Sequence, residues 1–435
     1  MRKSVKIETE DISLFKQKLI YFGNSQELFA ILDSHQYVKN NTQHTYYQYD
    51  FVAAWGKSKE LTESNKHNFK NLSRFVNENK DWIFGYLGYD LKNDIENLSS
   101  ANIDELNFPN IYFFIPEFVI TSGNEIIMIH YKNDKHTEDY VNDIINQIES
   151  FKIPNEKKNR NRIELLQRFP EKEYLETVND IKKHIQRGDI YEMNFCQEFY
   201  SFSDIDPVNT YIRLSELSPA PFASFYKNSD KFLISTSPER FMKKTGNTII
   251  SQPIKGTIKR SVNTQEDEKL KEKLFNDPKE RAENVMIVDL VRNDLSRTAK
   301  KQSVKVEELY GIYSFKHVHQ MISTIKSEIE PETDIVEVIK NAFPMGSMTG
   351  APKVRAMQLI EKFERTKRGL YSGAFGYFSP ENDFDFNVVI RSLLYNETKK
   401  YVSFTVGGAI TSLANAKDEY NECLVKATAL INVLN

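Results

Sequence analysis

In the stretch Asp189–Phe199, DIYEMNFCQEF, apolar and polar side chains alternate. Tyr191, Met193, Phe195 and Phe199 fall on one face of an extended chain, and Glu192, Asn194 and Cys196 on the other. The period predicts a strand. Before it, Tyr174, Val178, Ile181 and Ile185 recur at helical spacing, with Gly188 suited to end the helix. KFLISTSPERF and NTIISQPIKGT read as further strands turned by Gly246-Asn247. In NDPKERAENVMIVDLVRNDLSR, Asp277 is suited to cap a helix, Pro278 to its first turn and Glu280 to a capping box. An amphipathic helix is expected from Asp418 to the end. Nearer the N-terminus, YYQYDFVAAWG and IYFFIPEFVIT are β-like and Thr137–Ser150 is helical. Strands and helices cluster rather than alternate strictly, which predicts an α+β fold with antiparallel sheets. The polar run Ile153–Arg162 is the linker candidate, dividing an N-terminal lobe (1–165) from a second region (166–435).

Composition changes this picture little. With 435 residues and 40% hydrophobic side chains the chain can bury a large core, as separate domains or as one fold with interleaved lobes. Fifty-eight basic against 61 acidic residues give no electrostatic reason to expect nucleic acid or a membrane surface. No apolar run is long enough to span a bilayer and the first residues lack a signal-peptide core, so a cytoplasmic location is expected. Two cysteines, Cys196 and Cys423, make neither a disulfide framework nor a cysteine metal site, and neither lies in a nucleophile turn. His317 and His319 have no zinc pattern around them and read as structural.

Candidate chemistry begins where charges sit in apolar company. The helix at 278–296 is apolar on nearly all sides, yet carries Glu283 on the stripe of Ile287 and Leu290. A buried carboxylate there must be paired or bind a metal, and both readings stay open; Asp289, Arg292 and Asp294 read as an ion-pair network. Glu419 and Glu422 share one face of the last helix, with Lys426 one turn on. Spacing alone reads them as complements of the helix dipole and an ordinary ion pair; the alternative is a hard divalent cation. FPMGSMTGAPKVRAM lacks the Gly-Lys-Ser/Thr of a phosphate loop, leaving a Gly-rich turn that can offer N–H groups to an anion. Gly407 and Gly408 would let backbone approach a ligand, and Arg391 is suited either to a substrate carboxylate or to structural pairing. Lys255, between an apolar run and Gly256, is a solvated edge charge or a working amine.

Longer segments carry a resemblance. GDIYEMNF, SPERF, QPIKGT, DPKERAENVMIVDLVRNDLSR, PMGSMTGAPKVRAMQLIEKFE, RGLYSGAFGYFSPENDFDFNVVIRS and DEYNECLVKA occur in the order seen in chorismate-utilising enzymes, and FGYLGYDL resembles their N-terminal region. That group includes component I of anthranilate synthase and of aminodeoxychorismate synthase, and the isochorismate and salicylate synthases. The resemblance implies two stacked antiparallel sheets flanked by helices, with a Mg²⁺ site between them. It implies Glu283, Glu419 and Glu422 as metal ligands and Glu239 as general acid. It implies Thr257, Tyr371, Arg391, Gly407, Gly408 and Lys426 as substrate contacts. PIKGT, with Lys255 where anthranilate synthases resemble PIAGT, implies attack of the lysine on chorismate and amination to 4-amino-4-deoxychorismate. A partner glutamine amidotransferase would supply the ammonia. An amine of ordinary pKa ~10.4 is mostly protonated at neutral pH, so burial or a neighbouring cation is expected to lower it. Glu192 stands where isochorismate-type enzymes carry a lysine base, and Gln320 where relatives often show histidine. Anthranilate synthesis is the alternative, ahead of isochorismate or salicylate synthesis, against which Glu192 speaks, and of a non-catalytic scaffold.

Overall fold

The alternation at Asp189–Phe199 is realised as a strand, Glu192–Phe202, in a computed structural model that describes residues 2–35, 46–64, 66–154 and 162–435. Met193, Phe195 and Phe199 are buried, but Tyr191 lies before the strand and is 71% exposed. Its N–H donates to Ala351 O, and the ladder with Tyr401–Ile410 ends at Met193. The linker candidate lies largely outside the described residues.

The ladders between strands are antiparallel and form two layers. One runs through Arg2–Ile7, Ile126–Lys132, Ile111–Gly123, Phe51–Thr62, Leu28–Asp33, Phe222–Asn228, Lys231–Ser237, Ser392–Asn396, Tyr401–Ile410 and Glu192–Phe202. The other runs from Ile83–Leu87 through Ala374–Phe378, Phe384–Val388, Arg240–Thr245 and Thr248–Gln252 to Val318–Glu328. That last strand also pairs Ile254–Lys259 and Lys305–Ser314. Ile111–Gly123 joins the layers, pairing Ile83–Leu87 along its first half and Ile126–Lys132 along its second.

The period of two explains the stacking. Leu28 and Ala30 point into a core shared with Phe84, Phe113, Phe375 and Phe386 of the second layer, while Phe29 and Ile31 point into another core. That second core holds Phe15, Tyr174 and Leu430 from the helices Ile12–Asn24, Glu171–Gln186 and Ala416–Leu434. Strands on either side of residue 165 pair directly, Leu28–Asp33 with Phe222–Asn228 and Ile83–Leu87 with Ala374–Phe378, so both cores draw on both segments.

The helix Pro278–Ser296 begins where its capping residues predict: Asp277 accepts from the N–H groups of Lys279 and Glu280. The reciprocal capping-box bond is not made, because the helix Thr264–Asn276 runs straight into it and the Asp277 N–H donates to Leu274 O. Nor is the helix buried all round. Ile287, Val288 and Val291 face the core, whereas Val285 is 38% exposed. Asp289 and Arg292 pair at the exposed surface at 2.7 Å, and the buried Asp294 pairs instead with Lys353 at 2.6 Å.

Candidate active site

The strand Ile254–Lys259 is irregular where it matters. Ile254 opposes Ile322 and Thr257 opposes Gln320, so Lys255 and Gly256 together face a single partner residue. Such a bulge re-aims a side chain out of the pleat. Gly256 makes it possible with φ +90°, and a Cβ there would meet Glu280 Oε2 at 3.1 Å and Leu274 Cδ1 at 3.2 Å. Lys255 is thereby directed into a group of carboxylates. Burial pulls its pKa down, but Glu192, Glu283, Glu239 and Glu280 outweigh burial and hold the ammonium above its ordinary value. The expected lowering is therefore not built into the protein alone: its neighbours are anions, not a cation.

Glu239 follows Ser237 at the end of the strand Lys231–Ser237 and is 4% exposed. Ser347 Oγ donates to its Oε1 at 2.7 Å, and the N–H of Ile254 donates to its carboxylate. Burial nevertheless raises its pKa to about 7. The carboxyl can thus carry a proton near neutrality. Glu239 and Ser347 line a pocket that also touches Pro253 and Met345.

Two helices supply the remaining acids. Glu280 and Glu283 come from Pro278–Ser296, and Glu419 and Glu422 from Ala416–Leu434, capped by Asn415. Burial raises Glu283 and Glu280, and burial with the nearby Glu422 raises Glu419 to about 7. For Glu422 burial is overcome by Lys426, whose Nζ is 2.6 Å away, and its pKa is lowered. Lys426 also donates to Gly407 O at 2.9 Å. Lys279 Nζ lies 3.9 Å from Glu283 and 3.7 Å from Glu419. Among the described residues, no group of three or more His, Cys, Asp or Glu is gathered to hold a metal ion. The acids close on lysines instead. Their chemistry still fits a hard cation: Glu283 Oε1 is buried with no hydrogen-bond partner, and Gly408 leaves room that a Cβ, 3.0 Å from Glu419 Oε2, would fill.

Gly407 and Gly408 lie in Tyr401–Ile410 opposite Cys196 and Phe195. A Cβ at Gly407 would strike Phe195 O at 2.3 Å, so close strand pairing by itself requires glycine there. Arg391, at φ 52°, donates to Lys426 O at 3.1 Å and interacts electrostatically with Tyr371 and Glu422. The Tyr371 hydroxyl is 3.6 Å from Cys196 Sγ. Thr257 is exposed, while Gln320 beside it is buried with Oε1 unpartnered.

The structure thus gathers Lys255, Glu239, Glu283 and Glu422 electrostatically, and Glu419 and Lys426 join through Lys279, Gly408 and Glu422. Sequence reasoning missed Glu280, Lys279 and Ser347. Glu280 carried a readable signal, three residues before Glu283 on the same helix, but its capping role hid it. Glu192, given no role before, is the foremost electrostatic partner of Lys255 and is 2% exposed with Oε2 unpaired.

Residues 22–432 match the chorismate binding enzyme family. Among curated relatives, the chain is 32% identical to a chloroplastic aminodeoxychorismate synthase of Arabidopsis thaliana, over 97% of this chain and 48% of that one. It is 33% identical to aminodeoxychorismate synthase component 1 of Bacillus subtilis, over 88% and 81%. It is 34% identical to an anthranilate synthase component I-like protein of Synechocystis, over 84% and 75%. The chain therefore spans about half of the Arabidopsis protein and most of the two bacterial ones. The fold matches anthranilate synthase component I of Streptococcus pneumoniae with TM-score 0.77 at 24% identity, covering 91% of this chain and 96% of that one. It matches the Escherichia coli menaquinone-specific isochorismate synthase with TM-score 0.77 at 15% identity, covering 100% and 94%. With nearly its whole length matched, the chain belongs to the chorismate binding enzyme family.

Proposed function

We propose that the protein is component I of an aminodeoxychorismate synthase, replacing the 4-hydroxyl of chorismate with an amino group on the way to p-aminobenzoate and folate. The observation that carries this reading is Lys255, at a bulge of its strand and under the electrostatic influence of Glu192, Glu283, Glu239 and Glu280.

In the proposed sequence, Lys255 reacts once it has lost its ammonium proton, which the surrounding carboxylates hold until a cation neutralises them. The free amine adds at carbon 2 of chorismate, the ring double bond shifts, and the 4-hydroxyl departs. Glu239 protonates that hydroxyl, which leaves as water. Ammonia then adds at carbon 4, the double bond shifts back, and Lys255 leaves as the amine. One ammonia enters for one water lost. Splitting the exchange through an adduct turns one difficult displacement into two easier ones. Arg391, Tyr371 and the backbone at Gly407 and Gly408 hold a substrate carboxylate, with Lys426 near the acids and Thr257 toward the ring. Glu283, Glu419 and Glu422 would hold Mg²⁺, which when bound neutralises the acids and a substrate carboxylate.

The ammonia is proposed to come from a partner glutamine amidotransferase. Burial pushes the thiols of Cys196 and Cys423 up to about 12 and about 11, which suits neither to attack glutamine. Among the described residues no helix is long and apolar enough to cross a membrane.

The test is to incubate the protein with chorismate, Mg²⁺ and ammonium salt and identify the product by chromatography and mass. Aminodeoxychorismate, lost at least a hundredfold in Lys255→Ala, is the expected result. Anthranilate with pyruvate would overturn the reading in favour of anthranilate synthesis, the activity named for other relatives at 30% identity.

A further inference from the structure

Lys279 belongs to no role described above, yet its ammonium lies close to acids of two different helices. Its Nζ is 3.9 Å from Glu283 Oε1 on its own helix and 3.7 Å from Glu419 Oε1 on the last helix. Helix preference does not explain this. The first turn of a helix favours acids over a cation, because the backbone dipole is positive there. Nor is Lys279 buried by packing. Its side chain is 43% exposed, against 12% for Glu283 and 5% for Glu419, so its ammonium reaches the acids from the solvent side.

Resting on the reading that Glu283 and Glu419 hold a divalent cation, we infer that Lys279 is an internal rival of that cation for the same carboxylate oxygens. An ammonium and a divalent ion sharing oxygens about 4 Å apart repel strongly. The metal therefore enters as Lys279 swings out to solvent on its flexible stem. Lys426 is a different case. It is tethered at 2.6 Å to Glu422 and at 2.9 Å to Gly407 O, and stays. The exchange keeps Glu283 and Glu419 neutralised whether or not the cation is bound, and makes metal binding weaker and more readily reversed than the carboxylates alone would.

Calorimetric titration with Mg²⁺ alone, without chorismate, tests this on the full chain. Lys279→Met is expected to bind Mg²⁺ roughly tenfold more tightly than the unaltered protein, within the ordinary range of coupling between two sites. Glu283→Gln is expected to lose most of the binding. Lys417→Met neutralises a lysine on the last helix that pairs with Glu171, and is expected to shift affinity less than twofold. Affinity unchanged or weakened in Lys279→Met, while Glu283→Gln loses binding, overturns the rivalry and leaves the metal reading standing. An equal gain in Lys417→Met reduces the effect to general charge and overturns it as well. Binding indifferent to Glu283→Gln removes the metal reading, and the rivalry with it.

Discussion

Glu239 is a carboxyl whose environment works against its charge. It is 4% exposed, and although Ser347, Lys255 and the Ile254 N–H favour the anion, burial wins and its pKa stands at about 7. Two consequences follow from that value. As a proton donor it works only while protonated, so kcat/KM should fall as pH rises through about 7, and Glu239→Gln should lower kcat by roughly 10²–10⁴-fold and flatten that limb. The second concerns stability. The folded chain binds this proton more tightly than the unfolded chain, so stability is fully present below the ordinary carboxylate range and is lost as pH rises to about 7. Glu239→Gln removes the ionisation. Its melting temperature should exceed that of the unaltered protein at pH 8, by the equivalent of up to about 3 kcal/mol, and the gap should close toward pH 4. A pH-independent difference would contradict the assignment of burial as the cause.

At the scale of elements, the bulge in Ile254–Lys259 does what an ordinary strand would not: it lets Lys255 leave the ladder while Ile254 and Thr257 stay paired. Gly256→Ala should therefore cost about 1–3 kcal/mol in urea unfolding, since φ +90° strains any Cβ and this one crowds Glu280 and Leu274. Activity should drop with it, because relaxing φ at residue 256 shifts the backbone that carries Lys255. Wild-type activity in this variant would mean that the bulge does not aim the amine. Little of this was legible beforehand. Lys255 and Gly256 could be read, but a bulge depends on which strand lies opposite, and Val318–Glu328 is some sixty residues further along. Helix starts were more legible because their causes are local: Asp277 and Pro278 mark one helix, and the last starts at Ala416, two residues before the expected Asp418, behind an Asn415 cap.

Over the whole molecule, two layers of sheet bring distant segments onto one site. Glu192 opens a strand of the first layer, Lys255 lies in the second, and Glu283 and Glu422 come from separate helices. The class of fold was readable from clustered strands and helices. That strands before residue 165 pair into both layers was not, since such pairings leave no local pattern. The candidate residues were readable mainly through long motifs in register. Their surroundings were not, and a lysine expected to meet a cation meets anions instead. The most direct test of the account is intact-protein mass spectrometry after incubation with chorismate and Mg²⁺ in the absence of ammonia. The account predicts a fraction of the protein heavier by chorismate less one water, mapped to the peptide carrying Lys255 and absent from Lys255→Ala. Unmodified protein under conditions where ammonia restores aminodeoxychorismate formation would contradict it.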